Sequence, residues 1–230
     1  MATGRACQSD AMSHRYWPLF DLRVRTPRLE LRYPDDDLLV ELAAVAAGGV
    51  HDASVMPFFV PWTDAPPGEL ERNTLQYHWR IRAEWSVASW TCPFVVMRGG
   101  EMIGAQALNA NDFTTLRYFE TGSWLGLAYQ GQGLGKEMRA AVLHFGFAGL
   151  GASLAGTSAF DDNAASVGVT RAMGYKPNGE SVEVRRGAAA RLLRFLLRRE
   201  EWEARRRDDI DIDGLDGVID MFVAKEVTAT

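Results

Sequence analysis

A strand that runs straight into a glycine-rich turn and then into a helix constrains this chain more than any other segment. Trp124–Lys136 reads WLGLAYQGQGLGK, with Gly131, Gly133 and Gly135 at alternate positions. Beyond it Leu134, Met138, Ala141, Val142 and Phe145 recur at helical spacing, which predicts a helix over Lys136–Ala148. Glycines allow the backbone to turn so that several free N–H groups point one way, toward the positive end of the helix. That arrangement cradles an anion, and a diphosphate suits it best. A tight turn that holds nothing is the other reading the loop allows. Two common diphosphate motifs do not fit. A nucleotide P-loop needs GxxxxGK followed by Ser or Thr, but Gln130 stands at its first glycine and Glu137 follows Lys136. A dinucleotide fingerprint needs GxGxxG with an acid about 20 residues on, and that place holds Ala155.

The rest of the chain alternates strands and helices. Leu22–Leu31 reads as a strand interrupted at Pro27, and Asp35-Asp36-Asp37 opens a helix that Gly48-Gly49 stops. Val50–Pro67 is a loop rich in aromatics and prolines, followed by a helix over Gly68–Ala88 with Leu70, Thr74, Tyr77, Ile81 and Trp85 on one face. Pro93–Arg98 and Glu101–Leu108 flank Gly99-Gly100 as a hairpin. Further strands are expected at Leu116–Leu127 and Ala152–Ser158, then a helix capped by Asp162-Asn163 and ended by Gly174. Tyr175–Arg186 and Arg191–Arg198 close the pattern as an antiparallel pair. The class is α/β, of mixed α+β type.

Composition excludes several functions. With 230 residues, 47% of them hydrophobic, and seven Trp, eleven Phe and six Tyr, the chain can bury a full core and is not disordered in bulk. No apolar run is long enough to span a membrane, and no secretion signal is visible. A net charge of −5 argues against nucleic acid as a partner and favours a cationic amine. Cys7 and Cys92 are too few for a disulfide or metal framework, so a cytoplasmic location is expected. His14, His51, His78 and His144 share no metal-ligand spacing, and no metal is expected. Asp209, Asp211, Asp213, Gly214 and Asp220 fit an EF-hand frame in part, but Asp216 stands where an apolar residue belongs. Arg205-Arg206-Arg207, with acids on both sides, reads as a solvated turn.

Gln130–Gly135 resembles the Q/R-x-x-G-x-G/A motif of the GCN5-related N-acetyltransferase (GNAT) superfamily. Three further segments resemble its RimJ/RimL branch: Glu120-Thr121-Gly122-Ser123-Trp124-Leu125 before the loop, Asn163-x-x-Ser166 followed by Gly174-Tyr175, and Arg199–Trp202. The resemblance covers roughly Pro27 to Trp202. It implies a GNAT fold: a mainly antiparallel mixed sheet of six to seven strands flanked by helices, with acyl-CoA between splayed central strands. It also implies that the amides of Gln132, Gly133, Leu134, Gly135 and Lys136, with the Gln130 side chain, hold the diphosphate of acetyl-CoA or of another acyl-CoA such as succinyl-CoA. Backbone near Leu125 and Leu127 is implied to contact pantetheine, with Asn163 beside it. Many members carry a Tyr seven residues after the Asn to meet the thiolate. That position is Thr170 here, so Ser166 takes the role, with helix packing as its other use.

Acyl transfer to an amine needs a base, and Glu120 on the strand before the loop is the candidate, against the reading of a surface or paired carboxylate. Residues 1–13 are expected to be a disordered leader, 14–207 the acyltransferase domain, and 208–230 an acidic extension packed on it or trailing from it. The activity implied is transfer of an acyl group, most simply acetyl, to a primary amine on a small molecule, a protein N-terminus or a lysine. A homodimer or higher homo-oligomer is expected. A longer acyl donor or a non-catalytic acyl-CoA sensor is the alternative. The aromatic loop and the helix after it could form an acceptor pocket, a dimer interface or simply core, and the resemblance implies a wall of the acceptor site that is also partly an interface.

Overall fold

Pro27 cannot donate to a sheet ladder, and the chain reverses there. In the computed structural model, which describes residues 14–225, the expected first strand is therefore two: β1 (Arg23–Arg25) and β2 (Glu30–Arg32), paired antiparallel with Val24 opposite Leu31. Residues 1–13, expected to be a leader, lie outside the described residues. Helix α1 (Asp36–Ala47) begins where the Asp35 carboxylate accepts the Leu38 N–H at 2.9 Å, and it lays Leu38, Leu39 and Leu42 on the sheet.

Helix α2 (Glu69–Ala83) is shorter than the expected 68–88. Ser86 and Ser89 exchange backbone hydrogen bonds and turn the chain, so Trp85 leaves the helix and stacks on Trp90. The buried face of α2 is Leu70, Thr74, His78 and Ile81, while Tyr77 stays exposed. Strands β3 (Ser89–Arg98) and β4 (Glu101–Asn111) form the expected hairpin, with Gly99 and Gly100 at φ +58° and +87°, as a type I′ turn requires. After the short α3 (Phe113–Leu116) comes β5 (Tyr118–Leu125), then α4 (Leu134–His144), which loosens into a π turn over Phe145–Gly149. Strand β6 (Leu154–Phe160), α5 (Ala164–Ala172), β7 (Lys176–Arg185), β8 (Ala188–Arg198) and α6 (Arg199–Glu203) follow.

The last elements are β9 (Asp211–Asp213) and α7 (Ile219–Phe222). Strand β9 pairs with β1, and Phe222 is fully buried against Trp85, Trp90 and Phe145. The segment after residue 207 thus contributes both to the sheet and to the core. The sheet runs β7-β8-β6-β5-β4-β3-β2-β1-β9 and is antiparallel except between β5 and β6. Its nine strands exceed the six to seven expected, because Pro27 splits one and the C-terminal segment adds another. Helices cover both faces. Helices α1 and α2 lie over Val95, Ala105 and Trp124, while α4 lies over the larger core that includes Phe94 and Phe119.

Candidate active site

The parallel pair is where the sheet opens. Strands β5 and β6 are in register only from Tyr118–Leu154 to Glu120–Gly156. From there β5 stays with β4 as far as Leu125, and β6 stays with β8 as far as Phe160. The two strands diverge, which leaves one edge of Thr121–Leu125 without a strand partner. The hydroxyl of Thr157 donates to the Thr121 carbonyl at 3.1 Å, which fixes the point of divergence. The close start of the wedge depends on Gly156, since a Cβ there would lie 2.0 Å from the Tyr118 hydroxyl.

The glycine loop stands at the end of the open strand. Gly131 and Gly133 sit at φ +74° and +77°, a region that side-chain-bearing residues enter only at a cost. Among the described residues, the N–H groups of Gly131, Gln132 and Gly133 donate to no protein acceptor. They adjoin the N-terminus of α4, whose first N–H groups have no partner within the helix. The Gln130 side chain is used differently from the expectation. Its Nε2 donates to the Val50 and Leu125 carbonyls at 2.7 and 2.8 Å, so it braces the loop from behind. The Leu127 amide is also committed, to the Gly49 carbonyl at 3.0 Å. Gly135 is less constrained: a Cβ there would make ordinary contacts, 3.6 Å from Val169 and 3.9 Å from Leu125.

Two guanidinium groups that the motif reading does not include flank this loop. Arg28 reaches the Gln132 carbonyl at 3.4 Å, and Arg98 reaches Gln132 Oε1 at 2.9 Å. Glu137, 4% exposed, holds Arg28 at 2.6 Å and also accepts the Thr26 hydroxyl at 2.6 Å. Burial alone would raise its carboxyl, but the Thr26 hydroxyl and Arg28 hold it below the ordinary range. Nothing in the local sequence marks Arg28 or Arg98, since they reach the loop from the β1–β2 turn and the β3–β4 hairpin.

Beneath the wedge lies Arg139 of α4, 3% exposed and without a carboxylate partner among the described residues. Its terminal nitrogens donate to Ser123 Oγ on β5 at 3.2 Å and to Thr157 Oγ1 on β6 at 3.3 Å, which spans the gap. Its Nε has no partner. Burial holds this guanidinium below the usual arginine range, and the buried Tyr175 offsets part of that.

On the opposite face a cavity of about 890 Å³ lies between α2, the aromatic loop and strands β3–β5. Strand alternation places Glu120, Gly122 and Trp124 on one side of β5. Gly122 and Trp124 line the cavity, as does Asn109, which pairs with Glu120 across the ladder. Glu120 itself is exposed and is not among the lining residues; its carboxylate accepts the Tyr118 hydroxyl at 2.8 Å. Burial and that carboxylate push the Tyr118 phenol well up, so it stays protonated and donating. Asn163 is the N-cap of α5: its Oδ1 accepts the Ser166 N–H at 3.0 Å. Ser166 is half-buried and Thr170 fully buried. No hydrogen bond joins Ser166 to Glu120 among the described residues.

Other residues raised by sequence are engaged elsewhere. Asp209 is paired with Arg207 at 2.6 Å, Asp213 with Arg25, and Asp220 with Lys225 at 2.6 Å. Among the described residues no three acids, histidines or cysteines are grouped to hold a metal ion. Among the described residues no helix is long and apolar enough to cross a membrane. His51 Nε2 lies 2.7 Å from Thr63 Oγ1 within the aromatic loop.

The family model for the acetyltransferase (GNAT) domain matches residues 28–176. The chain belongs to this family. Solved structures with the same fold include RimL, described as a ribosomal L7/L12 alpha-N-protein acetyltransferase in complex with coenzyme A. It is 18% identical, with a TM-score of 0.62, over 75% of this chain and 95% of that one. An acetyltransferase from Salmonella typhimurium, described as modifying the N-terminal serine of ribosomal protein L7/L12, is 17% identical with a TM-score of 0.61, over 75% and 96%. A chimera of the spermidine N-acetyltransferase SpeG from Vibrio cholerae and hSSAT is 16% identical with a TM-score of 0.61, over 77% and 99%.

Proposed function

We propose that the protein transfers an acetyl group from acetyl-CoA to a primary amine by direct attack in a ternary complex. The observation that carries this reading is the alignment of the unpaired Gly131–Gly133 amides with the open edge of β5. A diphosphate on the loop would leave its pantetheine arm to run along that edge toward the cavity. Arg28 and Arg98 add positive charge beside the loop.

The chemistry divides among few residues. The ammonium form of the acceptor gives a proton to Glu120, directly or through water, and the neutral amine attacks the thioester carbon. The C–S bond of the tetrahedral intermediate then breaks, the proton still held by the attacking nitrogen passes through the Ser166 hydroxyl to the leaving thiolate, and Glu120 returns its proton to water. Asn163, by capping α5, sets where Ser166 sits. Acceptors of the same chemical kind, an N-terminal amine and spermidine, appear in the descriptions of structures that share the fold.

The test is release of free coenzyme A thiol from acetyl-CoA in the presence of an amine panel. Turnover that stays absent while coenzyme A binds would replace this reading with a non-catalytic acyl-CoA sensor. One observation favours a second reading of the donor. A buried Arg139 without a counter-charge is costly, and an acyl chain ending in a carboxylate, as in succinyl-CoA, would supply one. Parallel kinetics with acetyl- and succinyl-CoA decide between the two donors.

A further inference from the structure

The cavity beside the wedge differs in charge from the surface as a whole. The chain carries a net charge of −5, yet no Asp or Glu is among the residues lining the cavity, and Arg80 is the one charged lining residue. Burial, with Arg82 nearby, pushes the lining His78 down to about 4, so it is neutral at pH 7. The overall negative charge therefore does not extend to the lining of this cavity.

The floor of the cavity is made of small residues, Ala105, Ala107 and Gly122, so a flat group can approach the backbone of β4 and β5. Rings form its walls. Trp62 lies 5.6 Å from Trp124 and 5.2 Å from Phe58, centroid to centroid, and Tyr77 faces in from α2. Asn73, Gln76 and Asn109 supply neutral donors and acceptors. Glu120 lies next to the cavity along the ladder, opposite the lining residue Asn109, and can serve a single amine.

Resting on the acyltransferase reading, we propose that the acceptor is a monoamine carried on an aromatic, otherwise uncharged body, and that polyamines and basic peptides are excluded. A second ammonium entering this cavity would lose its water and find no carboxylate. The rings recover only part of that loss through cation–π attraction, and Arg80 opposes it. An aromatic body instead covers the small floor and meets the rings edge-on or offset. The same chemistry is presented by a small arylalkylamine or by a peptide N-terminus that begins with an aromatic residue.

The experiment compares phenethylamine, phenylalanylalanine amide, lysine amide and spermidine as acceptors, by kcat/KM and by calorimetry on the coenzyme A-loaded protein. At least one aromatic monoamine is expected to exceed spermidine tenfold or more in kcat/KM, and to give binding heat where spermidine gives none. The better of the two aromatic acceptors identifies the small-molecule or the peptide source. Trp62→Ala should lower kcat/KM for the aromatic acceptors about tenfold while coenzyme A affinity holds. Gln76→Glu, which adds a carboxylate to the wall without changing its shape, should raise spermidine use about fivefold. Spermidine equal to or better than both aromatic acceptors in the wild-type protein overturns the inference. Aromatic binding without turnover of any amine supports this acceptor class but overturns the acyltransferase reading.

Discussion

The proposed donor and acceptor sides of the wedge are built on opposite plans. The proposed donor side centres on one contiguous run, Thr121 to Lys136, with unpaired main-chain amides at Gly131–Gly133, positive φ at Gly131 and Gly133, and Arg28 and Arg98 beside it. The proposed acceptor side gathers side chains from the 58–62 loop, α2, β3, β4 and β5, spread along the chain from Phe58 to Trp124. A backbone site needs only the right turn at the end of a strand, so it tolerates change everywhere except at its glycines. A side-chain site changes its ligand whenever one wall changes. The donor plan suits a co-substrate that stays constant, and the acceptor plan suits specificity that differs between relatives.

That contrast can be broken at either side, and the largest effect is expected in the loop. Gly133→Val places a β-branched residue at φ +77° and should abolish coenzyme A binding, with more than a 100-fold loss by calorimetry and an unchanged circular dichroism spectrum. Retained binding would show that the amides are not the donor site.

The next effect concerns stability on the acceptor side. Burial lowers His78 from 6.5 to about 4, so between those values the unfolded chain binds a proton that the folded chain does not. Stability should therefore fall as pH drops through that window, by about 3 kcal/mol at its lower end. Melting temperatures measured from pH 7 to pH 4 should show this contribution in the wild type and lose it in His78→Gln. Two parallel pH curves would count against the assignment.

Glu120→Gln should lower kcat roughly 100-fold, at the lower end of the usual range for loss of a general base, and leave the coenzyme A Kd unchanged. Full activity in that variant would return Glu120 to the role of a surface carboxylate paired with Tyr118. The smallest effect is expected at Gln130, which supports the loop without entering the site. Gln130→Ala removes its two hydrogen bonds, at 2.7 and 2.8 Å, and should weaken coenzyme A binding roughly tenfold with little change in kcat at saturation. A change in kcat with an unchanged Kd would instead place Gln130 at the reacting groups.

How much was legible in advance follows the same division. Asp35 as a cap, the Gly99-Gly100 turn and the Asn163 cap are local signals, and each appears in the structure where the residues place it. The end of α2 was not legible. Its helical spacing continues past Ala83, and only the Ser86–Ser89 turn and the stacking of Trp85 on Trp90 stop it. The β1–β2 reversal was visible as a break at Pro27, but its pairing with β9, nearly the whole chain away, was not. In the site, the loop glycines were marked by their spacing. Arg28 and Arg98 were not, because each comes to Gln132 from a different hairpin. The direction of the Gln130 side chain was equally hidden, since the Val50 carbonyl it meets lies 80 residues away.

Local sequence was enough for the family, the strand–loop–helix unit and the glycine turns inside it, because glycine spacing and helical period act over a few neighbouring residues. It took the tertiary structure to end the β5–β6 pairing at Glu120, to bury Arg139 across the gap, and to give an acidic chain a cavity lined by rings and by no acid. Those features depend on which distant residues share a face or an edge. Net charge and local period are sums along the chain and carry no information about that arrangement.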